Sequence, residues 1–400
     1  MKILQTVSKY NISTQNLTSQ SLQYTKICYL THSLIEETFT NPVTDRQIVI
    51  QRIMTVSKRI LMCMEQGHFL TIQQCTNQLE NTIHFGTKRQ SRLFTDIVLV
   101  MDFVYLLLSE GSTATLREVF YALKPRIHCQ AYSNQLILKL ANILGVSRRS
   151  LGIVASSKGL MGGCIVITRK KTLPSGEEDV ETMDGNVMLT PIGMHITHEW
   201  LERDENGTTQ SGVKVNATTT AKVILIIEKE GIFLHLLAAR IFEKFPCILV
   251  TGKGYPDIAT RALVWSLHKE LHLPVVGLCD YNPYGIHVLG TYYFSNRSGI
   301  DGGSRYSVPI QWLGLRPSHI NPIKDCFQSF VFQLLTDGDL KLIDSLMQGK
   351  GYLKDGDCDA ILAMKNHAFK LELEALHQLR HDLLCTLVLH MLEQYNSNNK

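Results

Sequence analysis

The amino-acid sequence predicts an α/β protein with more than one domain, in which a mostly helical module precedes an open parallel sheet. Two observations support this prediction. Apolar residues recur at helical spacing between residues 94 and 144, and from residue 221 onward continuous apolar runs alternate with helix patterns, as parallel strands and their crossover helices do. The 400 residues, of which 44% are hydrophobic, are enough to build more than one core.

Composition limits the class of protein. The ten cysteines include no Cys-x-x-Cys pair, so neither a zinc ribbon nor a redox motif is present, and we expect reduced intracellular thiols. The first residues lack the apolar core of a secretory signal, and the most apolar run, 97–108, is interrupted by Asp102 and too short to span a bilayer. We therefore expect a soluble intracellular protein with no membrane partner.

Residues 1–88 are predicted to form an N-terminal arm and a docking helix. Residues 1–40 are rich in Ser, Thr, Gln and Asn with weak periodicity, so we expect a loose arm. Residues 45–66 place apolar side chains on one helical stripe, and such a helix docks either on its own protein or on a partner. The stripe consists of Ile48, Ile53, Val56, Ile60 and Met64.

Residues 89–171 have the element order of a winged helix: three helices and then a β-hairpin with a glycine-containing turn. A winged helix commonly lays its third helix in a DNA groove. The segment 88–171 holds 13 Lys and Arg against 4 Asp and Glu, a local balance of +9 in a chain of net charge +4. This charge suits a polyanion, although a solvated basic face is the alternative. The predicted helices are 94–109, 115–124 and 133–144, the strands are 151–155 and 164–168, and the expected phosphate contacts are Lys139, Arg148, Arg149 and Lys158.

The short helix 115–124 carries one tyrosine on a basic face. Thr115 followed by Glu118 is a capping box that would begin the helix there. Arg117 and Lys124 flank Tyr121 at helical spacing, and positive charge favours the phenolate, which can attack phosphorus while the arginine steadies the developing charge. The alternative is a half-buried helix tyrosine. The opposite, apolar face consists of Leu116, Val119, Phe120 and Leu123.

Residues 172–220 are predicted to be connecting strands and loops, and residues 221–400 an open, Rossmann-like parallel sheet with C-terminal helices. The apolar runs 223–227, 246–251 and 274–279 alternate with helix patterns at 232–244 and 258–271. The helical run 366–394 either closes this core or forms a dimer seam.

Acidic side chains follow two of these strands, where ligands bind in open parallel sheets. Glu228 follows the first strand and Asp280 the third. Mg²⁺ prefers oxygen ligands and keeps several waters, so these carboxylates and the amide oxygen of Asn282 would suffice for a magnesium site. Solvated strand ends are the alternative. No Gly-x-Gly-x-x-Gly follows the first strand, and Gly252-Lys-Gly lacks the spacing of a P-loop.

Five blocks of the sequence resemble the A subunit of topoisomerase VI and its eukaryotic relatives, the meiotic proteins that make DNA double-strand breaks. Together the blocks span residues 90–320 in the order of that family. They are Arg117-Glu-Val-Phe-Tyr121, Ser156-Ser-Lys-Gly-Leu160, Ile227-Glu-Lys-Glu230, Gly252-Lys-Gly-Tyr-Pro-Asp257 with Asp280-Tyr-Asn-Pro-Tyr-Gly285, and Trp312-Leu-Gly-Leu-Arg-Pro317.

The resemblance implies a winged-helix domain of the catabolite-activator type followed by a Toprim domain. It implies that Tyr121 attacks a phosphodiester and becomes linked to the 5′ end, assisted by Arg117. Glu228, Asp280 and Asn282 would hold Mg²⁺, and Lys253, with the basic residues named above, would contact double-stranded DNA. The implied assembly is a nuclear homodimer, in which the tyrosine of one protomer works with the metal site of the other. A topoisomerase VI B-like subunit would dock on the N-terminal helix, together with other meiotic break factors.

Two departures from the family pattern concern the site. Asn282 stands where the family usually has the second Asp of an Asp-x-Asp pair. This neutral ligand either lowers the affinity for the metal, or Glu230 compensates for the missing negative charge. Phe120 replaces the penultimate tyrosine, which leaves Tyr121 as the only phenol of its block. The leading hypothesis is a meiotic break-forming transesterase. The alternatives are a DNA-binding scaffold that has lost cleavage and the A chain of an ATP-dependent type IIB topoisomerase, which would need its ATPase from another chain.

Overall fold

The chain divides into two compact units, Met1–Ser156 with Arg297–Gly303 and Ser157–Asn296 with Ser304–Lys400. Most of the predicted N-terminal arm lies outside the described residues. Among the helices that are described, each is too short or too polar to traverse a bilayer. The computed structural model describes residues 28–29, 46–65, 70–73, 82–84, 87–154, 157–173, 175–186, 192–198, 200, 213–293, 306–326, 332–348, 355–380 and 382–398.

Helices form most of the described part of the first unit. The predicted N-terminal helix is present, and its buried face, including Ile53, Val56 and Ile60, belongs to the core of this unit. Ile48 and Met64, at the two ends of the predicted stripe, are 40% and 59% exposed. The guanidinium of Arg52 donates to the carbonyls of Leu144 at 2.8 Å and Gly145 at 3.1 Å, which satisfies the end of a neighbouring helix. The helices are α1 (Arg46–Glu65), α2 (Lys88–Ser109), α3 (Leu116–Leu123) and α4 (Gln130–Leu144).

Short strands accompany these helices. The first three form one sheet, and β4 pairs in parallel with β5. Because β4 immediately precedes α3 and β5 follows α4, this pairing encloses both helices within one local unit. The strands are β1 (Cys28–Tyr29), β2 (Leu70–Gln73), β3 (Thr82–His84), β4 (Ala114–Thr115) and β5 (Ile153–Val154).

The second unit is organised around a six-stranded sheet with strand order β14, β13, β11, β12, β6 and β9. The first four are parallel to their neighbours, and β6 and β9 add antiparallel edges. The parallel sheet predicted from the apolar runs is confirmed, because β11, β12 and β13 are buried along their full length. The strands are β6 (Leu160–Gly163), β9 (Met194–His195), β11 (Val223–Ile227), β12 (Cys247–Thr251), β13 (Val275–Leu278) and β14 (Ile310–Gly314).

Among the described residues, the two strands predicted to form the hairpin of the winged helix do not pair with each other. The residues predicted as its turn contain the fully buried strand β6, which pairs with β12. Gly162 permits close packing within this strand, since a Cβ on it would lie 2.8 Å from Leu237 Cδ1. The predicted second hairpin strand instead lies in β7 (Val166–Thr172), which pairs with β8 (Glu178–Asp184) and β10 (Val213–Thr218). Lys158 therefore belongs to the second unit.

Helices cover the sheet and complete the C-terminal part of the second unit. Residues of the predicted run 366–394, among them Leu384, Val388 and Met391, belong to the core of this unit, so the run closes the second core, one of its two predicted roles. The helices are α5 (Glu230–Ala238), α6 (Ile241–Lys244), α7 (Ile258–Leu271), α8 (Pro283–Tyr293), α9 (Pro317–Ile320), α10 (Asp337–Gln348), α11 (Asp355–His367), α12 (Leu376–Leu379) and α13 (Leu383–Asn398), with 3₁₀ turns at Lys324–Cys326 and Leu373–Ala375 and the strand pair β15 (Gln333–Leu334) and β16 (Phe369–Lys370).

Candidate functional site

Helix α3 presents its tyrosine to solvent because its first turn and its apolar face are fixed locally. The amide of Glu118 donates to Thr115 Oγ1 at 3.2 Å, and the amide of Thr115 donates to Glu118 Oε2 at 2.6 Å. These bonds form the predicted capping box. Val119 and Leu123 are buried. The opposite face, which carries Tyr121, therefore points outward.

The Tyr121 side chain is 56% exposed. The ammonium of Lys124 lies 5.8 Å from the ring centroid, within the range of a cation–π contact. The Phe120 ring is a further aromatic neighbour, with centroids 5.5 Å apart. Arg117 is exposed one turn earlier on the same helix. Tyr121 is thus open to a large substrate, in a locally positive environment.

A buried carboxylate that the sequence reasoning missed ties α3 to its neighbours. Asp96 on α2 is completely buried. It accepts hydrogen bonds of 3.0 Å from Arg126 Nε, just after α3, and from the Tyr132 hydroxyl on α4. Burial, followed by the hydrogen bond to Asp96, raises the pKa of Tyr132 to about 12, so this phenol remains a donor. The network fixes the end of the helix that carries Tyr121.

In the second unit, the structure brings Glu228 and Asp280 together as predicted. Glu228 follows β11 and Asp280 follows β13, and these strands are parallel neighbours. The amide of Asp280 donates to Glu228 Oε2 at 3.2 Å. Because the carboxyl ends of adjacent parallel strands meet at one edge, residues 52 positions apart become direct neighbours.

The electrostatics of the pair call for a cation. Burial, and then the charge of Asp280, raises the pKa of Glu228 to about 7. Asp280 is only 2% exposed, and its burial raises its pKa although hydrogen bonds from Lys229 and from the Leu373 amide oppose that change. A buried carboxylate and a partly buried one beside it are costly to ionise together unless positive charge is added. The site chemistry therefore fits a divalent cation.

Lys229 already places a positive charge on the pair. Its ammonium lies 2.8 Å from Asp280 Oδ2, 2.8 Å from Glu374 Oε2 and 3.6 Å from Glu372 Oε2. Burial lowers the pKa of Lys229, but its hydrogen bonds to Asp280 and Glu374 outweigh this and raise the pKa above its ordinary value. Lys229 is next to Glu228 in sequence, but no pattern in the sequence near Lys229 predicts that Glu372 and Glu374 are its partners.

Asn282 has a defined local role. Its Oδ1 accepts the amide of Gly285 at 2.6 Å, where α8 begins, as an N-cap side chain does. Glycine at position 285 lets the start of α8 approach the site closely, because a Cβ there would lie 2.7 Å from Glu228 Oε2 and 2.9 Å from Cys279 Cβ. Among the described residues, no three His, Cys, Asp or Glu side chains converge closely enough to hold a metal ion. The role of Asn282 as a third ligand remains a prediction.

The predicted DNA contacts fall in both units. The ammonium of Lys158 donates to the Lys253 carbonyl at 3.1 Å, so the structure brings these two lysines together. The ammonium of Lys253 lies 2.9 Å from Glu230 Oε1. This ion pair occupies the glutamate that was predicted to compensate for the neutral side chain of Asn282 in metal binding. Arg148 and Arg149 are half-buried in the turn that follows α4.

Comparisons with known proteins agree with this fold. Residues 223–390 match the model of the Toprim domain shared by Spo11 and the topoisomerase 6 A chain, and residues 92–153 match the model of type IIB DNA topoisomerases. The parallel sheet with its acidic edge is thus a Toprim domain. The fold and site define the chain as a type IIB topoisomerase-like, DNA-cleaving protein.

Sequence similarity to individual proteins shows which family within this class the chain belongs to. The meiotic recombination protein SPO11-2 of Oryza sativa subsp. japonica is 33% identical over 299 residues, which cover 74% of this chain and 72% of the relative. The meiotic recombination protein SPO11 of Homo sapiens is 30% identical over 69% of this chain and 64% of its own length. The A chain of DNA topoisomerase 6 from Arabidopsis thaliana is 28% identical, with corresponding shares of 60% and 52%. The protein belongs to the family formed by Spo11 and the topoisomerase VI A chains, as predicted.

Proposed function

We propose that the protein starts meiotic recombination by cutting both strands of DNA through Tyr121. The phenol oxygen of Tyr121 attacks a backbone phosphorus, the bond from phosphorus to the 3′ oxygen breaks, and the phenol proton passes to the departing 3′ oxygen. The products are a 5′-phosphotyrosyl link and a free 3′ hydroxyl. The observation that carries this proposal is the exposed Tyr121 on a capped helix, in a chain related to meiotic recombination proteins.

The other site residues assist this transfer. Arg117 precedes Tyr121 by one helical turn and would stabilise charge on the phosphate. Glu228 and Asp280 would hold Mg²⁺ with Asn282, and bound Mg²⁺ would neutralise the phosphate and the 3′ oxygen. The position of both carboxylates at one edge of the sheet, where the backbone amide of Asp280 donates to Glu228 Oε2 at 3.2 Å, supports this assignment.

The DNA would be held by the first unit acting as a winged helix and by the basic residues of both units. Helices α2, α3 and α4 would be the three helices of such a domain, and the parallel β4–β5 pair takes the place of the predicted hairpin. Arg148 and Arg149 would contact phosphates in the first unit, and Lys158 and Lys253 in the second. Such contacts position the duplex without reading its sequence, so we expect little base specificity from them.

The active form would be a nuclear homodimer that works with a topoisomerase VI B-like subunit, together with other break factors. Double-strand cleavage requires two tyrosines, one for each strand, which supports the dimer. The exposed side chains of Ile48, Met62 and Met64 on α1 offer apolar surface for the B-like subunit.

The direct test of Tyr121 is covalent attachment to DNA. The protein and its partners are incubated with duplex DNA and Mg²⁺, and protein bound to 5′ ends is quantified. Tyr121→Phe is expected to lower the yield by at least about 10³-fold, because the attacking oxygen is lost. Tyr105→Phe, a tyrosine on α2, serves as the matched control. Undiminished cleavage by Tyr121→Phe would disprove the nucleophile.

The sharing of sites between protomers is tested with mixed dimers. If each site combines Tyr121 of one protomer with the carboxylates of its partner, a dimer of Tyr121→Phe with Glu228→Ala keeps one intact site. That dimer is expected to be active at one of its two sites and therefore to nick one strand of the duplex. A dimer of wild type with the double variant is then expected to be inactive, because each of its sites lacks one component. The reverse pattern would show that each protomer is self-sufficient. Two separately tagged chains allow each mixed dimer to be isolated.

A second candidate function is a DNA-binding scaffold without cleavage, which is favoured by the neutral side chain of Asn282 and the ammonium of Lys229 on Asp280. A scaffold would bind DNA in a salt-dependent manner without any response to Mg²⁺. A Mg²⁺-dependent cleavage signal that Glu228→Ala or Asp280→Ala removes would exclude it.

A further inference from the structure

Both carboxylate oxygens of Asp280 are already used within the chain. Oδ1 accepts the amide of Leu373 at 2.9 Å, and Oδ2 lies 2.8 Å from the ammonium of Lys229. The first partner is backbone, whereas the second lies at the end of a four-carbon side chain. A metal ion that binds Asp280 through Oδ2 therefore has to replace Lys229 and can leave the Leu373 bond intact.

The displaced ammonium has an alternative place to bind. Glu374 is already 2.8 Å from Lys229 Nζ and Glu372 is 3.6 Å away. Both glutamate side chains are about half exposed, at 45% and 51%, while Asp280 is buried. Lys229 thus connects a buried carboxylate to two exposed ones, and a small movement away from Asp280 would leave its charge paired.

Backbone hydrogen bonds hold the segment that carries the two glutamates beside Asp280. The amide of Tyr281 donates to the Leu371 carbonyl at 2.9 Å, and the amide of Leu371 donates to the Tyr281 carbonyl at 3.1 Å. This two-way pairing fastens the segment 371–374 to the residue that follows Asp280. The glutamates are therefore a built feature of the site, held there by backbone hydrogen bonds.

The carboxylates outnumber the positive charges even when a divalent cation is bound, so an ammonium that stays nearby lowers the net negative charge of the cluster. Four carboxylates lie around Lys229: Asp280, Glu372, Glu374 and the adjacent Glu228. A divalent cation on Glu228 and Asp280 would repel an ammonium bound to the same oxygen, because like charges this close strongly oppose each other. The glutamates would keep that ammonium bound in its new position.

We propose that Lys229 is a displaceable internal cation, which occupies Asp280 in the metal-free protein and moves onto Glu372 and Glu374 when a divalent cation binds. The proposal rests on the proposed metal site and adds a regulation to it. Metal affinity is set by competition between the ion and Lys229, and the two glutamates favour the ion without touching it.

The test is a double-mutant cycle on metal binding. Mn²⁺ binding to the full-length protein is measured by loss of the free-ion electron paramagnetic resonance signal, at one fixed pH and ionic strength. Lys229→Met is expected to bind Mn²⁺ about tenfold more tightly than wild type. The double variant Glu372→Gln with Glu374→Gln is expected to bind several-fold more weakly, because Lys229 then has only Asp280.

The decisive arm combines these changes. When Lys229 is already Met, removing the two glutamate charges is expected to alter affinity by less than about twofold. An effect as large as in the wild-type background would overturn the proposal, because the glutamates would then act directly on the ion. A Lys229→Met protein that binds Mn²⁺ no more tightly than wild type would overturn the proposal as well.

Controls separate this result from folding and from failure of the metal site itself. Lys365→Met removes a lysine from an exposed pair with Asp344 in the same unit and should leave affinity unchanged. Lys229→Arg keeps the cation and should bind no more tightly than wild type, which covers the case in which Lys229→Met fails to fold. Glu228→Ala that binds Mn²⁺ like wild type would refute the proposed metal site rather than the role of Lys229.

Discussion

At the residue scale, the structure shows how burial changes the chemistry of single side chains. His319 is packed beside Arg316. Burial, then the charges of Arg316 and His390, lowers the pKa of His319 to about 4. Its Nδ1 accepts the amide of Arg316 at 3.2 Å, which only a ring with an unprotonated Nδ1 can do.

This shift makes the folded protein sensitive to acid. An unfolded histidine has a pKa of about 6.5, so the unfolded chain binds more protons between about pH 6.5 and about pH 4, and stability falls as the pH falls through this window. The loss between about pH 7 and about pH 5 is expected to be about 2 kcal/mol for this residue. Urea unfolding at the two pH values measures it.

His319→Asn is the matched variant for that experiment, because its side-chain oxygen can accept the same amide without titrating. The variant is expected to lose about 2 kcal/mol less than wild type between the two pH values. An identical loss in both proteins would show that His319 does not carry the effect.

At the element scale, α3 depends on its first turn. The helix has only eight residues, and helices this short are marginal without caps or packing. Thr115→Ala removes the acceptor for the Glu118 amide and is expected to cost about 1 kcal/mol of unfolding free energy. Thr113→Ala, an exposed threonine two residues earlier, makes the same chemical change outside the cap. Equal unfolding free energies for the two variants would contradict the role of the cap.

Elements with strong apolar patterns were predictable, and elements defined by packing were not. Strand β11 is predictable because five consecutive apolar residues, Val223–Ile227, are buried on both faces. Strand β6 was not, since Gly162 and Gly163 look like a turn in sequence and only the neighbouring Leu237 and β12 explain them. Residue-level patterns also cannot reveal that β5 pairs with β4 instead of with β7.

At the scale of the whole molecule, the basic residues of two units act on one substrate in the proposed function. Replacing both Arg148 and Arg149 by Ala is expected to weaken DNA binding and to reduce the slope of log affinity against log salt by about 2, at about 0.9 per phosphate contact. Fluorescence anisotropy with a labelled duplex at several salt concentrations measures the slope. A pair of surface changes outside the proposed interface, Lys341→Ala with Lys365→Ala, should leave it unchanged.

The candidate site shows the same division between local and distant information. Glu228 and Asp280 were predictable, because a rule about strand ends places them at one edge. Their partners were not: Lys229 and Glu374 are 145 residues apart, and no periodicity links them. The contact between Asp96 and Arg126 was likewise missed, since a pairing between a buried helix residue and a residue beyond the next helix leaves no pattern in the sequence.

The hydrogen bond from Leu373 to Asp280 also bears on how the protein is made. These residues are 93 positions apart in the chain. When Asp280 has just been added to the growing chain, the Leu373 amide that binds the Asp280 carboxylate has therefore not yet been synthesised. A translation product that ends between Asp280 and Leu373 contains the acidic strand ends but lacks the backbone amide that binds the Asp280 carboxylate. The proposed metal site is therefore completed late in synthesis, after Arg148, Arg149, Lys158 and Lys253, the proposed phosphate contacts, have already been made.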